Sequence, residues 1–209
     1  MIGALKSLTQ LVMKTTMPGV PDFYQGTEFW DLSLVDPDNR RPVDFQARAS
    51  LLTADDEVPD WPALISTWPS GQGKFALMRR LLALRRRLPN VFTNGSYRPL
   101  EVSGRDSNEI LAFARLSGRK AVIVIGGRLF ARASGGGRRW PSGDAWDASL
   151  VAAGFAEITD VLKATRLTSS PELAIAGLFD PLPVAVLEAQ YTPVRRGRAA
   201  VNPDRLAHV

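Results

Sequence analysis

The sequence of 209 residues contains no cysteine and a single histidine. Without cysteine the chain can form neither a disulfide framework nor a thiolate nucleophile, and this absence fits the reducing cytoplasm, where we expect the protein to reside. The histidine, His208, falls in a basic stretch near the end of the sequence, which does not favour a role as ligand or base. Because the aspartates also lack the spacing of a calcium loop, we expect no metal, and no motif indicates a cofactor.

Long apolar runs and nucleic-acid motifs are missing as well. No segment approaches the ~20 apolar residues of a membrane span, and Lys6 and Lys14 interrupt the apolar stripe of the first 17 residues, which lacks the features of a signal peptide. The net charge of +5 comes with scattered arginines. We therefore expect neither a membrane nor a nucleic-acid partner. The Gly135–Gly137 tract precedes no Lys-Ser or Lys-Thr pair, so we interpret it as a flexible surface loop and not as a phosphate loop.

The first part of the sequence predicts helices around one short strand. Apolar residues at three- and four-residue spacing predict a helix over 4–16, which ends at Pro18 and Gly19. The short apolar run Val20–Tyr24 predicts a buried strand, and a helix followed by a strand is the repeating step of a (β/α)8 barrel. A second amphipathic helix is predicted over 73–88, and a short one over 42–52.

Two sets of side chains in this part allow more than one interpretation. The arginines of the second helix could form a patch for a polyanion, but a solvated face that complements the helix dipole is the preferred interpretation. Residues 55–70 are predicted to be an irregular excursion. Its Trp61 and Trp68 could stack on sugar, although we expect them to pin the loop onto the core.

After Asn90 the pattern changes to short apolar runs separated by turn residues, which predicts an antiparallel β-sandwich. The predicted strands are 97–102, 110–116, 121–125 extending towards 130, 155–162, 173–179 and 184–191. The final residues are basic and almost free of apolar runs, which predicts a disordered tail over 193–209.

A polar loop with interleaved aromatic residues follows the predicted strand Val20–Tyr24. Carboxylates and guanidinium groups can pair with sugar hydroxyls, while flat rings stack on the apolar face of a pyranose. The candidate substrate-binding residues are Tyr24, Gln25, Glu28, Asp36, Asp38, Asn39, Arg40 and Arg41. An alternative for Arg40 and Arg41 is a structural pairing with the loop aspartates.

Two motifs in this region resemble a known enzyme family. Residues 18–28 read PGVPDFYQGTE, which is similar to the last-strand motif Gly-x-Pro-x-x-Tyr-x-Gly-x-Glu of the alpha-amylase superfamily. Residues 30–45 read WDLSLVDPDNRRPVDF, which resembles the maltooligosyltrehalose synthases of that superfamily. Weaker resemblance continues over 73–102 and ends with 182–187. The chain up to about Tyr191 therefore resembles the C-terminal portion of that family.

The resemblance implies an α+β fold: the last helix–strand–helix part of a (β/α)8 barrel over 1–90, then an antiparallel β-sandwich C-terminal domain over 91–192. In the resembled enzymes the loop after the last strand lies at the rim of the substrate site. Tyr24 would pack at the strand end, Gly26 would let the backbone turn sharply there, and Gln25 and Glu28 would orient groups on neighbouring strands. The aspartates, asparagine and arginines of 36–41 would bind terminal glucose units.

The implied activity is that of a (1→4)-α-D-glucan 1-α-D-glucosylmutase, an isomerase of trehalose biosynthesis that acts on maltooligosaccharides or other α-glucans. Retaining chemistry needs two carboxyl groups about 5–5.5 Å apart, and the resemblance places these upstream of Met1, in an N-terminal barrel portion. We therefore expect no catalytic residue here and no activity from the chain alone.

Two other interpretations remain open. The chain could be a fragment of another glucan enzyme of the alpha-amylase superfamily, such as an amylase, although the loop over 36–42 argues against it. It could also be a non-catalytic carbohydrate-binding or structural β-module. An in-frame upstream continuation with barrel strands and acidic motifs would indicate an enzyme, and an independent start site would indicate a module.

Overall fold

A computed structural model of the chain describes residues 1–32, 42–52 and 58–192. The helices are α1 (Ile2–Thr16), α2 (Phe45–Ser50), α3 (Trp61–Ser66), α4 (Gln72–Arg87), α5 (Pro89–Thr93) and α6 (Ile175–Leu178). The strands are β1 (Ser96–Pro99), β2 (Val102–Ser103), β3 (Ile110–Ser117), β4 (Lys120–Gly127), β5 (Ser149–Val151), β6 (Phe155–Asp160), β7 (Thr165–Arg166), β8 (Glu172–Ala174) and β9 (Val184–Tyr191). The first half of the described chain is therefore helical, and the strands follow it.

The strands form two antiparallel sheets. One has six strands in the order β1-β3-β4-β9-β6-β7, and the other has three in the order β2-β5-β8. Each strand pair in both sheets is antiparallel. The predicted mixed fold with antiparallel sheets is thus confirmed.

Alternation along the central strands gives the larger sheet two apolar faces. In β4, Val122 and Val124 belong to one core cluster, which also contains Leu77 and Leu81 of α4. The intervening Ala121, Ile123 and Ile125 belong to a second cluster, which also contains Leu150 of β5 and Leu173 of β8. Successive side chains of a strand point to opposite faces. The helices α1, α4 and α5 therefore pack mainly on one face of the larger sheet, while the smaller sheet and α6 cover the other.

The two long helices follow the apolar spacing of the sequence. Four α1 residues at that spacing, Leu5, Leu8, Leu11 and Val12, are buried. In α4 the predicted stripe is buried except for Leu82, which is 39% exposed. Both predicted helices are confirmed to within two residues at each end. Among the described residues, no helix is both long enough and apolar enough to cross a bilayer.

The predicted strand Val20–Tyr24 is wrong, because this segment belongs to neither sheet. Val20 is 93% exposed. A buried strand needs partners on both sides to satisfy its backbone groups, and the described residues offer it none. An apolar run in the sequence does not form a strand unless another segment pairs with it.

Two further assignments also differ from expectation. The predicted strand over 173–179 is split into β8 and the helix α6. The excursion over 55–70 contains α3, whose first turn is capped by Asp60, since its carboxylate accepts a hydrogen bond from the Ala63 amide at 3.0 Å. An aspartate before a proline-containing first turn is a helix-start signal. The prediction of an irregular segment did not take this signal into account.

The two tryptophans of this excursion do pin it to the rest of the molecule. Trp61 is 2% exposed, and its indole donates to the Leu162 carbonyl at 2.8 Å. Trp68 is half-buried, with its ring centroid 6.4 Å from that of Trp30 and 6.3 Å from that of Trp140. The expected packing role is confirmed for Trp61, which joins the core shared with the larger sheet.

The arginines of α4 do not all form a solvated face, because two of them bind carbonyls of other segments. Arg85 donates to the carbonyls of Thr15 at 2.7 Å and Gly19 at 3.1 Å, and Arg80 donates to the Val161 carbonyl. Arg86 and Arg87 remain exposed. The long side chain of arginine reaches the free carbonyls at a helix end, which sequence periodicity does not reveal. The predicted tail, 193–209, lies outside the described residues.

Candidate functional site

The candidate site begins where α1 ends, and two arginines fix this point. Besides the contacts of Arg85, the fully buried Arg115 of β3 donates to the Thr16 carbonyl at 3.1 Å. Arg115 also donates to the carbonyls of Phe92 at 3.0 Å and Gly95 at 2.9 Å. Burial lowers the pKa of Arg115, with a further contribution from the charge of Arg85. These bonds set the direction in which the chain leaves α1 towards Tyr24.

A cleft of about 250 Å³ lies between α1, the segment from Asp22 to Thr27, and α4. It is lined by Ser7, Gln10, Leu11, Lys14, Asp22, Phe23, Tyr24, Thr27, Lys74 and Met78. The Lys14 ammonium lies 4.6 Å from the centre of the Phe23 ring. The lining combines hydroxyl, amide and charged groups with two aromatic rings, which suits a small polar ligand with an apolar face.

Tyr24 is the sequence-predicted residue that lines this cleft, and its side chain is 49% exposed. The turn after it closes when Thr27 donates from both its amide and its hydroxyl to the Tyr24 carbonyl, at 3.2 and 2.6 Å. Gln25 is exposed on this turn. Gly26 has φ 91°, and a Cβ there would lie 3.1 Å from the Val43 side chain. The sharp turn thus needs glycine, as the sequence indicated.

Glu28 is held by Arg48 of α2. The Arg48 Nε donates to the Glu28 carboxylate at 2.7 Å, while the two terminal nitrogens donate to the carbonyls of Gly26 and Asp44 at 2.8 and 2.9 Å. The guanidinium also lies 4.7 Å from the centre of the Phe29 ring. One side chain therefore connects α2 with Gly26, Glu28 and Phe29.

Lys74 of α4 supports the same segment from the other side. Its ammonium donates to the Phe29 carbonyl at 2.9 Å and lies 5.5 Å from the centre of the Trp30 ring. Burial lowers the pKa of Lys74, and the nearby carboxylates of Asp31 and Glu28 partly oppose this. The Trp30 indole in turn donates to the Trp68 carbonyl at 2.7 Å.

Of the eight predicted site residues, the structure describes Tyr24, Gln25 and Glu28. The other five, Asp36, Asp38, Asn39, Arg40 and Arg41, lie outside the described residues. Arg48 and Lys74 organise the site but were not predicted. Their type and position within helices resemble those of any surface arginine or lysine, and a partner 20 or 45 residues away along the chain leaves no local signal.

The side chains in the described part of the site are better suited to bind a ligand than to catalyse a reaction. The Glu28 carboxylate already has a guanidinium partner, with the Glu28 side chain 25% exposed. Within residues 1–32, 42–52 and 58–192, no group of three or more histidine, cysteine or acidic side chains could hold a metal ion. The half-exposed Tyr24 ring and the polar walls of the cleft remain available to a ligand.

Comparison with known proteins gives a consistent set of relatives. No protein-family model matches the chain. The putative maltooligosyl trehalose synthases of two Mycobacterium tuberculosis strains are 33% identical over 184 residues, which is 87% of this chain and 20% of theirs. The chain thus spans about a fifth of the length of these relatives.

Solved structures give the same result. A mutant maltooligosyltrehalose synthase from Arthrobacter ramosus superposes with a TM-score of 0.66 at 33% identity, over 90% of this chain and 22% of that one. Another maltooligosyl trehalose synthase gives a TM-score of 0.63 at 26% identity, with the same two coverages. A noncanonic maltogenic alpha-amylase from Thermotoga neapolitana shares the fold, with a TM-score of 0.50 at 14% identity over 92% of this chain and 39% of that one. The chain is therefore a homologue of one portion of the maltooligosyltrehalose synthases.

Proposed function

We propose that the chain is the C-terminal part of a maltooligosyltrehalose synthase, a (1→4)-α-D-glucan 1-α-D-glucosylmutase. Such an enzyme converts the reducing end of a maltooligosaccharide into a trehalosyl end by intramolecular transglucosylation. The observation that carries the proposal is the 33% identity over 184 residues with putative synthases, together with a TM-score of 0.66 against a solved synthase. We also propose a cytoplasmic location, which the absence of cysteine supports.

Residues 1–90 would complete a (β/α)8 barrel, and 91–192 would form the β-sandwich domain that follows it. The exposed apolar residues support this division of roles. Seven of them fall within residues 17–58, namely Met17, Val20, Tyr24, Leu32, Phe45, Leu52 and Val58. Such a concentration of exposed apolar residues in one part of the chain favours an interface there. The missing N-terminal barrel portion would cover it.

The substrate loop would lie at the rim of the pocket in that assembly. Tyr24 would contact the bound glucan. Gln25 and Glu28 would orient groups on neighbouring strands, and Arg48 would hold Glu28 and the turn in place. The loop residues Asp36, Asp38, Asn39, Arg40 and Arg41 would bind the terminal glucose units. A closed pocket would favour attack by the released glucose over attack by water.

The chain alone would be inactive. Retaining chemistry needs two carboxyl groups about 5–5.5 Å apart, held on a rigid frame. Glu28, the acidic residue of the described turn, is engaged by Arg48 at 2.7 Å and therefore is poorly suited to donate a proton or attack a sugar. The reactive acids would come from the proposed N-terminal barrel portion.

A chimera tests this proposal. This chain replaces the matching portion of the Arthrobacter ramosus synthase, and both the chimera and the isolated chain are incubated with maltopentaose. We expect trehalosyl-ended product, detected as loss of reducing ends without hydrolysis, from the chimera only. Trehalosyl product from the isolated chain, or a folded chimera without activity, would contradict the proposal.

The role of Tyr24 is tested in the same chimera. Tyr24→Ala is compared with Tyr97→Ala, since the two tyrosines are 49% and 45% exposed but Tyr97 lies on β1, away from the cleft. Loss of a stacking ring should raise KM for maltopentaose about tenfold, as expected for an aromatic contact of ~1–1.5 kcal/mol. Equal KM values in the two variants would argue against Tyr24 as a substrate contact.

A further inference from the structure

Phe29 and Trp30 pack directly against the start of α4. A Cβ added at Gly71, the residue before this helix, would lie 3.1 Å from the Phe29 Cβ and 3.1 Å from the Trp30 amide nitrogen. The ring centroids of Phe29 and Phe75 are 5.5 Å apart, and the Trp30 indole donates to the Trp68 carbonyl at 2.7 Å. The two residues therefore approach the helix so closely that a side chain at position 71 would displace them.

Lys74 is the charged residue in this contact, and its side chain is buried. Its ammonium donates to the Phe29 carbonyl at 2.9 Å, and the side chain also lines the cleft that contains Tyr24. Burial of an ammonium costs free energy, which agrees with the direction of the Lys74 pKa shift. An apolar side chain of similar volume would fill the space without this cost. Packing therefore does not require a lysine at this position.

We propose that Lys74 is a positioning residue of the glucan site, which fixes Phe29 and Trp30 relative to the cleft wall at Tyr24. This inference rests on the function proposed above. Phe29 and Trp30 lie between the turn at Gly26 and the residues 36–41 that would bind the terminal glucose units. A shift of this segment would therefore change how the released glucose is held next to the bond that it must form.

Two nucleophiles compete in the proposed reaction. The anomeric hydroxyl of the released glucose attacks C1 of the glycosyl group, the bond from C1 to the enzyme carboxylate breaks, and the acid/base carboxylate takes the hydroxyl proton. This attack yields the trehalosyl product, whereas attack by water at the same carbon leaves free glucose and a shortened glucan. Both products come from one intermediate, so their ratio reports how well the glucose is held. The ratio does not depend on the fraction of the protein that is folded.

The test introduces Lys74→Met into the chimera and measures free glucose and trehalosyl product from maltopentaose by chromatography. Methionine fills a similar volume but has no charge and no donor for the Phe29 carbonyl. We expect the ratio of glucose to trehalosyl product to rise about threefold to tenfold over that of the unmodified chimera. Lys74→Arg keeps a cationic donor and should return the ratio more than halfway. Lys120→Met, at an exposed position on β4, is the matched control and should leave the ratio unchanged.

A second control separates positioning from stability. Leu81→Val weakens the core of the same helix without a contact to Phe29 or Trp30, and should leave the product ratio unchanged. The role of Lys74 is overturned if an active chimera gives the same ratio with and without K74M, if L81V raises the ratio as much as K74M does, or if K74M does not fold. An unmodified chimera that folds but makes no trehalosyl product would instead overturn the proposed function, and this inference with it.

Discussion

Arg115 shows how a single side chain can join distant parts of this fold. Its guanidinium is buried without a carboxylate within salt-bridge distance among the described residues, and it donates instead to three carbonyls. Burying an arginine costs several kcal/mol. Charge-assisted hydrogen bonds to carbonyls at the ends of α1 and α5 offset that cost.

We expect Arg115→Met to lower the free energy of unfolding by about 2–4 kcal/mol, because two buried carbonyls and one part-buried carbonyl lose their donor. Arg115→Lys should recover part of this, since an ammonium can serve fewer of the three acceptors in this geometry. Urea unfolding followed by circular dichroism measures both. Arg138→Met, at an exposed position, is the control, and a shift as large as that of R115M would show that charge removal alone explains the effect.

At the scale of elements, the short helix α2 depends on its contact with the candidate site. None of its six residues is buried, and its N-terminus is capped by Asp44, whose carboxylate accepts from the Ala47 amide at 2.9 Å. A helix of this length is not stable by itself in water. Arg48, which reaches Glu28, Gly26 and Phe29, is therefore the side chain that ties α2 to the turn.

We expect Arg48→Ala to raise amide exchange rates in both Gly26–Phe29 and α2, by about 5–30-fold, which corresponds to the loss of about 1–2 kcal/mol of local stability. Glu28→Gln keeps a hydrogen-bond acceptor and should have a smaller effect. Hydrogen exchange followed by mass spectrometry resolves the two segments. Arg166→Ala on β7 is the control. Unchanged exchange in R48A would mean that α2 and the turn are held independently.

At the scale of the whole molecule, the helices and the larger sheet share one core. Leu8 and Val12 of α1, Leu81 of α4 and Val122 and Val124 of β4 lie in the same cluster. Burial of this kind is the main source of folding free energy. Elements that share a core are expected to unfold together.

We therefore expect Leu81→Ala to destabilise the molecule by about 2–5 kcal/mol, because it leaves a cavity in this shared core. The neighbouring Leu82→Ala, at a position 39% exposed, should cost much less. Unfolding in urea is followed by far-ultraviolet circular dichroism and by tryptophan fluorescence. Separate midpoints for the two signals would contradict a single cooperative transition.

Several features of the fold could be predicted because they depend on local pattern. The periodicity of α1 and α4 located both helices, and the apolar runs located β3, β4, β6 and β9. Local pattern could not show that Val20–Tyr24 lacks strand partners, since pairing depends on other segments. The predicted strand over 97–102 became β1 and β2, which lie in different sheets.

The candidate site also contains some residues that could be predicted from the sequence and others that could not. Gly26 could be predicted because a tight turn requires a residue that tolerates positive φ, and Tyr24 and Glu28 stand in a motif with a family resemblance. Their partners Arg48 and Lys74 could not be predicted, since the contacts join residues far apart along the chain.

By itself, the sequence determined where the long helices and central strands form, the turn at Gly26, and the resemblance to the maltooligosyltrehalose synthases. Each depends on the order of neighbouring residues. Only the tertiary structure decided that Glu28 pairs with Arg48, that Arg115 is buried among carbonyls, and that Lys163 pairs with the buried carboxylate of Asp160. Those features arise when the chain brings distant polar groups into a space from which water is largely excluded, where each group must find a partner or lose its hydration without compensation.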